Sequence, residues 1–314
     1  MAGGPGRIAS ASDASVPRSG LPRGASWCPG RSWLTAPTSL YLVVVLVFPL
    51  VLIGLYSVDL MTNLVGVPTS FSLSNWQDFL PPGSNPFWDR FKTSMLITLA
   101  VSVAAVIAAY PIAYCLAFVA RRRRYTLLLL VLAPFFTSYL LRVIAWKVML
   151  DNNGVINSAL WQLGLRPHGD GISWLIYSWF AVALVLFYSW VPFVALPIYV
   201  VLENMDRRLL EAGTDLGGGR LHVFRRITLP LSLPGVIAGF VFVLIPTTGE
   251  FISPLLVGGP DSYMFGNSVQ SFFSDTPNWN YGAVLAVWLI VIVLLLMIVF
   301  GRFLSGDLRN ARTE

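Results

Sequence analysis

The chain has 314 residues, of which 56% are hydrophobic and only 11% charged, with a mean hydropathy of +0.70. Soluble domains carry about 25% charged residues, so a fold wholly surrounded by water is excluded. The net charge of +6 arises from arginines that flank apolar segments, and it needs no nucleic-acid partner.

In chain order, residues 1–34 are expected to form a disordered cytoplasmic tail. Up to Arg31 they are rich in Gly, Ala, Ser, Pro and Arg without an apolar period. The first apolar run is too long to be the core of a cleaved signal peptide. Crossing a bilayer takes about 20 mainly apolar residues. Runs of that kind lie at Ser32–Val58, Thr93–Ala120, Tyr125–Leu150, Gly171–Leu202, Ile227–Gly249 and Thr276–Gly301. The third is interrupted by Arg142 and Lys147. An open strand in lipid leaves backbone N–H and C=O groups unpaired, so each run is expected to be helical. The fold class is therefore an all-α integral membrane protein with six transmembrane helices over 35–308, followed by a cytoplasmic tail at 309–314.

Arginine placement sets the expected orientation, because cytoplasmic loops retain Lys and Arg. Most of the 21 basic residues fall in the N-terminal tail, in the run Arg121–Arg124, between Arg207 and Arg226, and after Arg302. The alternate loops carry Asp59, Asp78, Asp89, Asp170, Asp261 and Asp275 with few cations. Both termini of this multi-pass membrane protein are thus expected in the cytoplasm. Cys28 and Cys115 both fall on the reducing side, and neither implies a disulfide.

Several chemistries lack their residues. The two lysines, Lys92 and Lys147, follow no glycine-rich phosphate loop. The two histidines, His168 and His222, are expected on opposite membrane faces, which leaves no His pair for catalysis or metal binding. The chain is read as a non-enzyme that binds no cofactor or metal of its own.

The cytoplasmic loop at about 203–232 is unusually long and charged. Asp206 is a suitable N-cap, and Leu209, Ala212 and Leu216 make one apolar stripe on a short charged helix. Gly217–Gly219 end that helix. A second amphipathic piece follows, with Leu221, Phe224 and Ile227 on one side, and Pro230 and Pro234 mark the start of the fifth span. Such an element suits docking onto another protein; an interfacial helix lying on anionic lipid is the competing account.

The order Glu211-Ala212-Gly213, three residues, Gly217, nine residues, Ile227, one residue, Leu229-Pro230 resembles the loop signature of binding-protein-dependent ABC importer permeases. Gly213 stands where that signature has a second alanine, a change expected to loosen the helix by up to about 1 kcal/mol. The stretches "LAPFFTSYLLRVIAWKVMLDNNGVINSALWQLGL", "GEFISPLLVGG" and "NWNYGAVLAVWL" look like those of the spermidine/putrescine-type permeases. The resemblance covers roughly Leu40 to Leu304. It implies a type I ABC importer permease fold in which Glu211, Ala212, Gly213 and Gly217 belong to a coupling helix seated on a separate ATPase subunit, with Ile227, Leu229 and Pro230 completing the motif. It also implies a dimer of ATPase subunits that binds ATP and Mg, a second permease subunit and an extracytoplasmic solute-binding protein. Polyamines are the solute it favours; iron(III), thiamine, phosphonates and opine-like solutes are served by relatives of the same layout. An ion-coupled secondary carrier and a membrane anchor without transport are the rival classes.

Charges inside spans usually face a cavity or a partner helix. At 1.5 Å per residue, Arg142 lies about 25 Å along the third span and Glu250 about 24 Å along the fifth, so both are expected near the external side, lining a vestibule or pairing. Tyr139, Arg142 and Trp146 share a helix face, and Asp151 is placed to neutralise Lys147. For a polyamine, Glu250 and Asp151 would hold ammonium groups while Trp146 and Tyr139 supply aromatic faces. The plainer account has Arg142 and Lys147 snorkelling to headgroups and Trp146 in the interfacial belt.

Overall fold

The computed structural model describes residues 32–60, 71–81, 85–120, 122–164, 174–276 and 278–310, and among these the regular structure is entirely helical. Residues 1–31 of the tail expected over 1–34, together with His168 and Asp170, lie outside the described residues, whereas residues 32–34 are helical. The chain divides into two units, 1–51 and 52–314, with the break inside helix α1 (Ser32–Ser57).

Beyond α1, the second unit holds α2 (Ser74–Phe79), α3 (Pro86–Tyr114), α4 (Arg124–Leu132), α5 (Tyr139–Leu150), α6 (Val155–Gln162) and α7 (Trp179–Glu203). It continues with α8 (Arg207–Asp215), α9 (Arg220–Val223), α10 (Leu229–Thr248), α11 (Ile252–Val257), α12 (Phe265–Ser274) and α13 (Trp279–Asn310). Among the described residues, five continuous helical stretches are long and apolar enough to cross a membrane: Pro37–Ser57, Pro86–Val119, Trp179–Glu203, Arg220–Thr248 and Trp279–Arg302. A sixth candidate is the pair Arg124–Phe136 and Tyr139–Gln162, bent by 85°, which forms a broken span or a re-entrant loop.

That break corrects the expectation of a straight third span. Pro134 brings no N–H to the ladder, and α4 tightens into a 3₁₀ turn at Ala133–Phe136. Thr137 and Ser138 are then extended, with ψ of 151° and 137°. The Thr137 N–H and Oγ1 both donate back to the Pro134 carbonyl, at 3.3 and 2.6 Å. Depth along the third span therefore cannot be counted at a constant rise from Tyr125.

The fifth span also differs, starting at Arg220 rather than near Ile227 or Pro234. Pro230 cannot donate to the carbonyl four residues earlier. The ladder shifts instead to a π turn over Phe224–Thr228, in which the Leu229 N–H reaches the Phe224 carbonyl. The second amphipathic piece of the loop is thus the start of the span itself.

Small residues decide which faces meet, as expected where lipid is as apolar as the side chains. In α3 the buried stripe is Ile97, Val101, Ala105, Ala109 and Ala113, spaced by four, while Leu96, Leu99, Val103 and Ile107 are exposed. Gly235 and Gly239 let α10 approach α7 closely. A Cβ on Gly235 would stand 2.8 Å from the Pro197 carbonyl oxygen, and one on Gly239 would stand 3.1 Å from that of Val194. Tyr110 of α3 and Ser232 of α10 share a hydrogen bond of 2.9 Å. The bundle of α3, α7 and α10 is the frame on which both functional regions are mounted.

Candidate functional site

The first region is the loop after α7. Asp206 caps α8 as its sequence implies, its carboxylate accepting from the Arg208 N–H at 3.0 Å. The other end closes in a Schellman turn. Gly217 has φ +81°, the Gly218 N–H donates to the Gly213 carbonyl at 3.1 Å, and the Gly217 N–H donates to that of Thr214 at 3.0 Å.

Gly213 has a role beyond loosening the helix. A Cβ there would come within 2.6 Å of Ile227 Cδ1 and 3.3 Å of Val223 Cγ2. The glycine lets α8 press onto the π turn of the fifth span, so the two halves of the motif meet in space. The apolar stripe faces the other way. Leu209 is 48% exposed, Leu216 90% and Leu221 69%; Glu211 and Ala212 are exposed with them. The pairing of Leu221 with Phe224 and Ile227 is therefore corrected: Val223 is buried instead, with Phe224 and Ile227 partly so.

Arg207 and Arg208 differ in their surroundings. Arg208 is exposed. Arg207 reaches back to the second span: its guanidinium donates to the Ala117 carbonyl at 3.2 Å and lies 5.6 Å from the Phe118 ring centroid. Arg124 at the start of α4 pairs with Glu203 at the end of α7. Arg207 thus ties the loop to the second span, and the Arg124–Glu203 pair ties the third span to the fourth.

The second region is a cavity of about 290 Å³ lined by Phe135, Tyr139, Arg142, Ser189, Trp190, Phe193, Glu250 and Ile252. It lies where the third span breaks, against the middle of α7 and the end of α10. Arg142 and Glu250 share it as expected, but among the described residues no ion pair joins them. Glu250 Oε1 accepts the N–H groups of Ile252 and Ser253, at 2.9 and 3.1 Å, and so caps α11. Tyr139 shares a 2.7 Å hydrogen bond with Ser253, and its ring lies 5.7 Å from the Arg142 guanidinium carbon. Phe193 meets Phe135 edge-on at 4.6 Å and Trp190 at 5.5 Å. Arg142 Nε, Ser189 Oγ and Trp190 Nε1 are all buried with no hydrogen-bond partner.

Trp146 and Asp151 do not join this cavity. Trp146 packs edge-on against Tyr188 at 5.3 Å. Asp151 follows the end of α5 and lines a separate cleft with Lys147 and Gly154. Trp146 lies one helical turn beyond Arg142, and past the break the helix carries that turn away from Glu250. Conversely, Ser189, Trp190 and Phe193 were not singled out. In "FYSWVPF" their only signal is a polar Ser-Trp pair beside a proline within an otherwise apolar run.

With this geometry in hand, the comparisons are specific. Residues 109–309 match the family described as the binding-protein-dependent transport system inner membrane component. The chain is 32% identical over 244 residues to the spermidine/putrescine transport system permease protein PotB of Escherichia coli, covering 78% of this chain and 86% of that one. It is 34% identical over 236 residues to PotB of Haemophilus influenzae, covering 75% and 79%. Among solved structures, a bacterial ABC transporter involved in importing the acidic polysaccharide alginate superposes with a TM-score of 0.69, at 16% identity, over 88% of this chain and 96% of that chain. At that identity the likeness speaks for the fold alone.

Proposed function

Since the chain belongs to the binding-protein-dependent transport system inner membrane component family, we propose that it is one permease subunit of an ATP-driven importer for a polyamine-class solute. In this reading the chain hydrolyses nothing. Helix α8 seats in a partner ATPase that binds ATP and Mg, a second permease subunit completes the path, and a solute-binding protein delivers from outside. Both termini and the arginine-rich end face the cytoplasm, in keeping with the retention of Lys and Arg there.

The observation that carries the reading is the α8 element. It is capped at both ends and clamped to the fifth span through Gly213 and Ile227, yet it leaves Leu209, Ala212 and Leu216 uncovered. A bare stripe suits a helix lying on lipid as well; the clamp of α8 onto the fifth span is what favours a docked partner. A rod anchored by one face and bare on the other transmits a push from a partner into the spans. The polyamine assignment rests on likeness to PotB and on a carboxylate, Glu250, set among aromatic rings, the combination that suits an ammonium group.

Co-expression with the ATPase and second permease subunits tests this reading. The ATPase is expected to co-purify, and replacing Glu211–Gly217 with a flexible Gly/Ser linker is expected to release it while the permease pair stays in the membrane. An ATPase retained after that replacement would overturn the docking role.

A further inference from the structure

We propose that Arg142 is a resident cation of the solute path, competing with the solute's ammonium for Glu250 so that amine binding stays weak and release is driven. The proposal rests on the importer reading above and deepens it, because it concerns how a polyamine-class solute leaves the cavity.

The observation is two opposite charges that share a cavity and do not pair. Arg142 and Glu250 both line the space of about 290 Å³. That volume is at the small end for ligand cavities, within the reach of a long arginine side chain. Opposite charges in a low-dielectric site attract strongly, and an unpaired one is costly there. Here each is held off by its neighbours. Glu250 Oε1 is engaged by the N–H groups of Ile252 and Ser253, at 2.9 and 3.1 Å. The Arg142 guanidinium carbon lies 5.7 Å from the Tyr139 ring centroid, and the Tyr139 hydroxyl is itself fixed by its 2.7 Å bond with Ser253. Among the described residues no ion pair holds Arg142, and its Nε has no hydrogen-bond partner. Glu250 is thus pinned by backbone, whereas Arg142 is restrained by an aromatic face. Of the two charges, Arg142 is the one that can move.

An entering ammonium finds a carboxylate bordered by the rings of Phe135, Tyr139 and Phe193. It also finds a guanidinium, so one anion serves two cations. Arg142 balances the charge of Glu250 before any solute arrives, and an amine therefore gains less here than at a bare carboxylate. A site on a transport path has to be entered readily and left readily. The tethered cation supplies the second half of that requirement. When Arg142 swings onto Glu250 the ammonium is displaced, and the closed pair disfavours its return. The step exchanges ion-pair partners and moves no proton.

Two readouts test this on the same variants. Equilibrium binding of labelled putrescine is measured on the permease–ATPase complex in lipid nanodiscs, without the binding protein. Maximal ATP-driven putrescine uptake is measured on the full complex in proteoliposomes. R142Q should bind putrescine about tenfold more tightly than wild type, while its maximal uptake rate falls several-fold because release becomes limiting. A misfolded variant loses affinity, so this gain separates the proposal from a structural role for Arg142. R142K keeps the charge and should bring affinity back to within about threefold of wild type. Adding E250Q to R142Q should abolish the gain. K147Q removes a cation from the separate cleft and should leave both readouts unchanged, which distinguishes a local contest for Glu250 from a general loss of positive charge. Putrescine bound no more tightly by R142Q, an undiminished R142Q uptake rate, or an equal gain in K147Q would each overturn the proposal. So would a gain that survives E250Q, or no putrescine binding to any of these proteins. ATPase co-purification and ATP-dependent uptake by the wild type stand apart from these results, so failure here is distinguishable from failure of the importer reading.

Discussion

Gly213 of α8 and Ile227 of the fifth span, fourteen positions apart in sequence, lie so close that a Cβ on the glycine would stand 2.6 Å from Ile227 Cδ1. The π turn over Phe224–Thr228, which Pro230 imposes, places Ile227 over the glycine. The spacing between the two halves of the motif is therefore the spacing that lets one half clamp the other.

That clamp is graded by side-chain size. Ile227 Cδ1 is the far end of a flexible side chain, so G213A should be tolerated, with a gain in helix propensity of up to about 1 kcal/mol offsetting the crowding. G213L cannot fit without moving α8 off the span, at a cost of about 1–3 kcal/mol. Pull-down of the ATPase should be near normal for G213A and largely lost for G213L. Equal retention by both variants would show that the close approach is incidental.

Arg207 and Arg208 are neighbours with different duties. R207A removes the tie from α8 to the Ala117 carbonyl and the Phe118 ring, whereas R208A removes an exposed charge, whose loss should change stability by no more than about 0.5 kcal/mol. ATP-driven uptake should fall several-fold for R207A and stay near wild type for R208A, with the ATPase bound in both. Equal uptake by the two variants would remove Arg207 from the coupling path.

Gly235 tests the α7–α10 contact. Its Cβ direction meets backbone, the Pro197 carbonyl oxygen at 2.8 Å and Ile198 Cα at 3.1 Å, which cannot swing aside as a side chain does. G235L should destabilise the bundle by about 1–3 kcal/mol or more, seen as a lower melting temperature in detergent. G54A, with nothing within 4 Å of the added carbon, should leave it unchanged.

Glu250 holds α11 through an oxygen that Gln also supplies, so E250Q separates charge from cap. Uptake of a labelled amine should fall about tenfold, equivalent to about 1.4 kcal/mol, with melting unchanged. E250A should lower both, since it also strips the cap from Ile252 and Ser253. Uptake unaffected by E250Q would take Glu250 off the solute path.

The spans and the docking loop were legible because each leaves a local mark: apolar length, a capping Asp206, a left-handed Gly217. The buried faces were not. A membrane helix is apolar all round, and nothing local separates Ala105 from Val103 until α7 is beside them. The break at Thr137 and Ser138 was written in "APFFTS", yet an apolar count runs straight through it. That omission is why the depth of Arg142 was counted along a straight span. Ser189 and Trp190 line the cavity through tertiary packing, which no local pattern in the sequence marks.

The central claim is that this chain moves solute only when a nucleotide-hydrolysing partner drives it. Uptake of labelled spermidine into sealed vesicles, with and without the ATPase subunits and ATP, tests it most directly. Accumulation is expected only with the ATPase, the second permease, the binding protein and ATP all present. Accumulation in vesicles holding this chain alone would contradict the account.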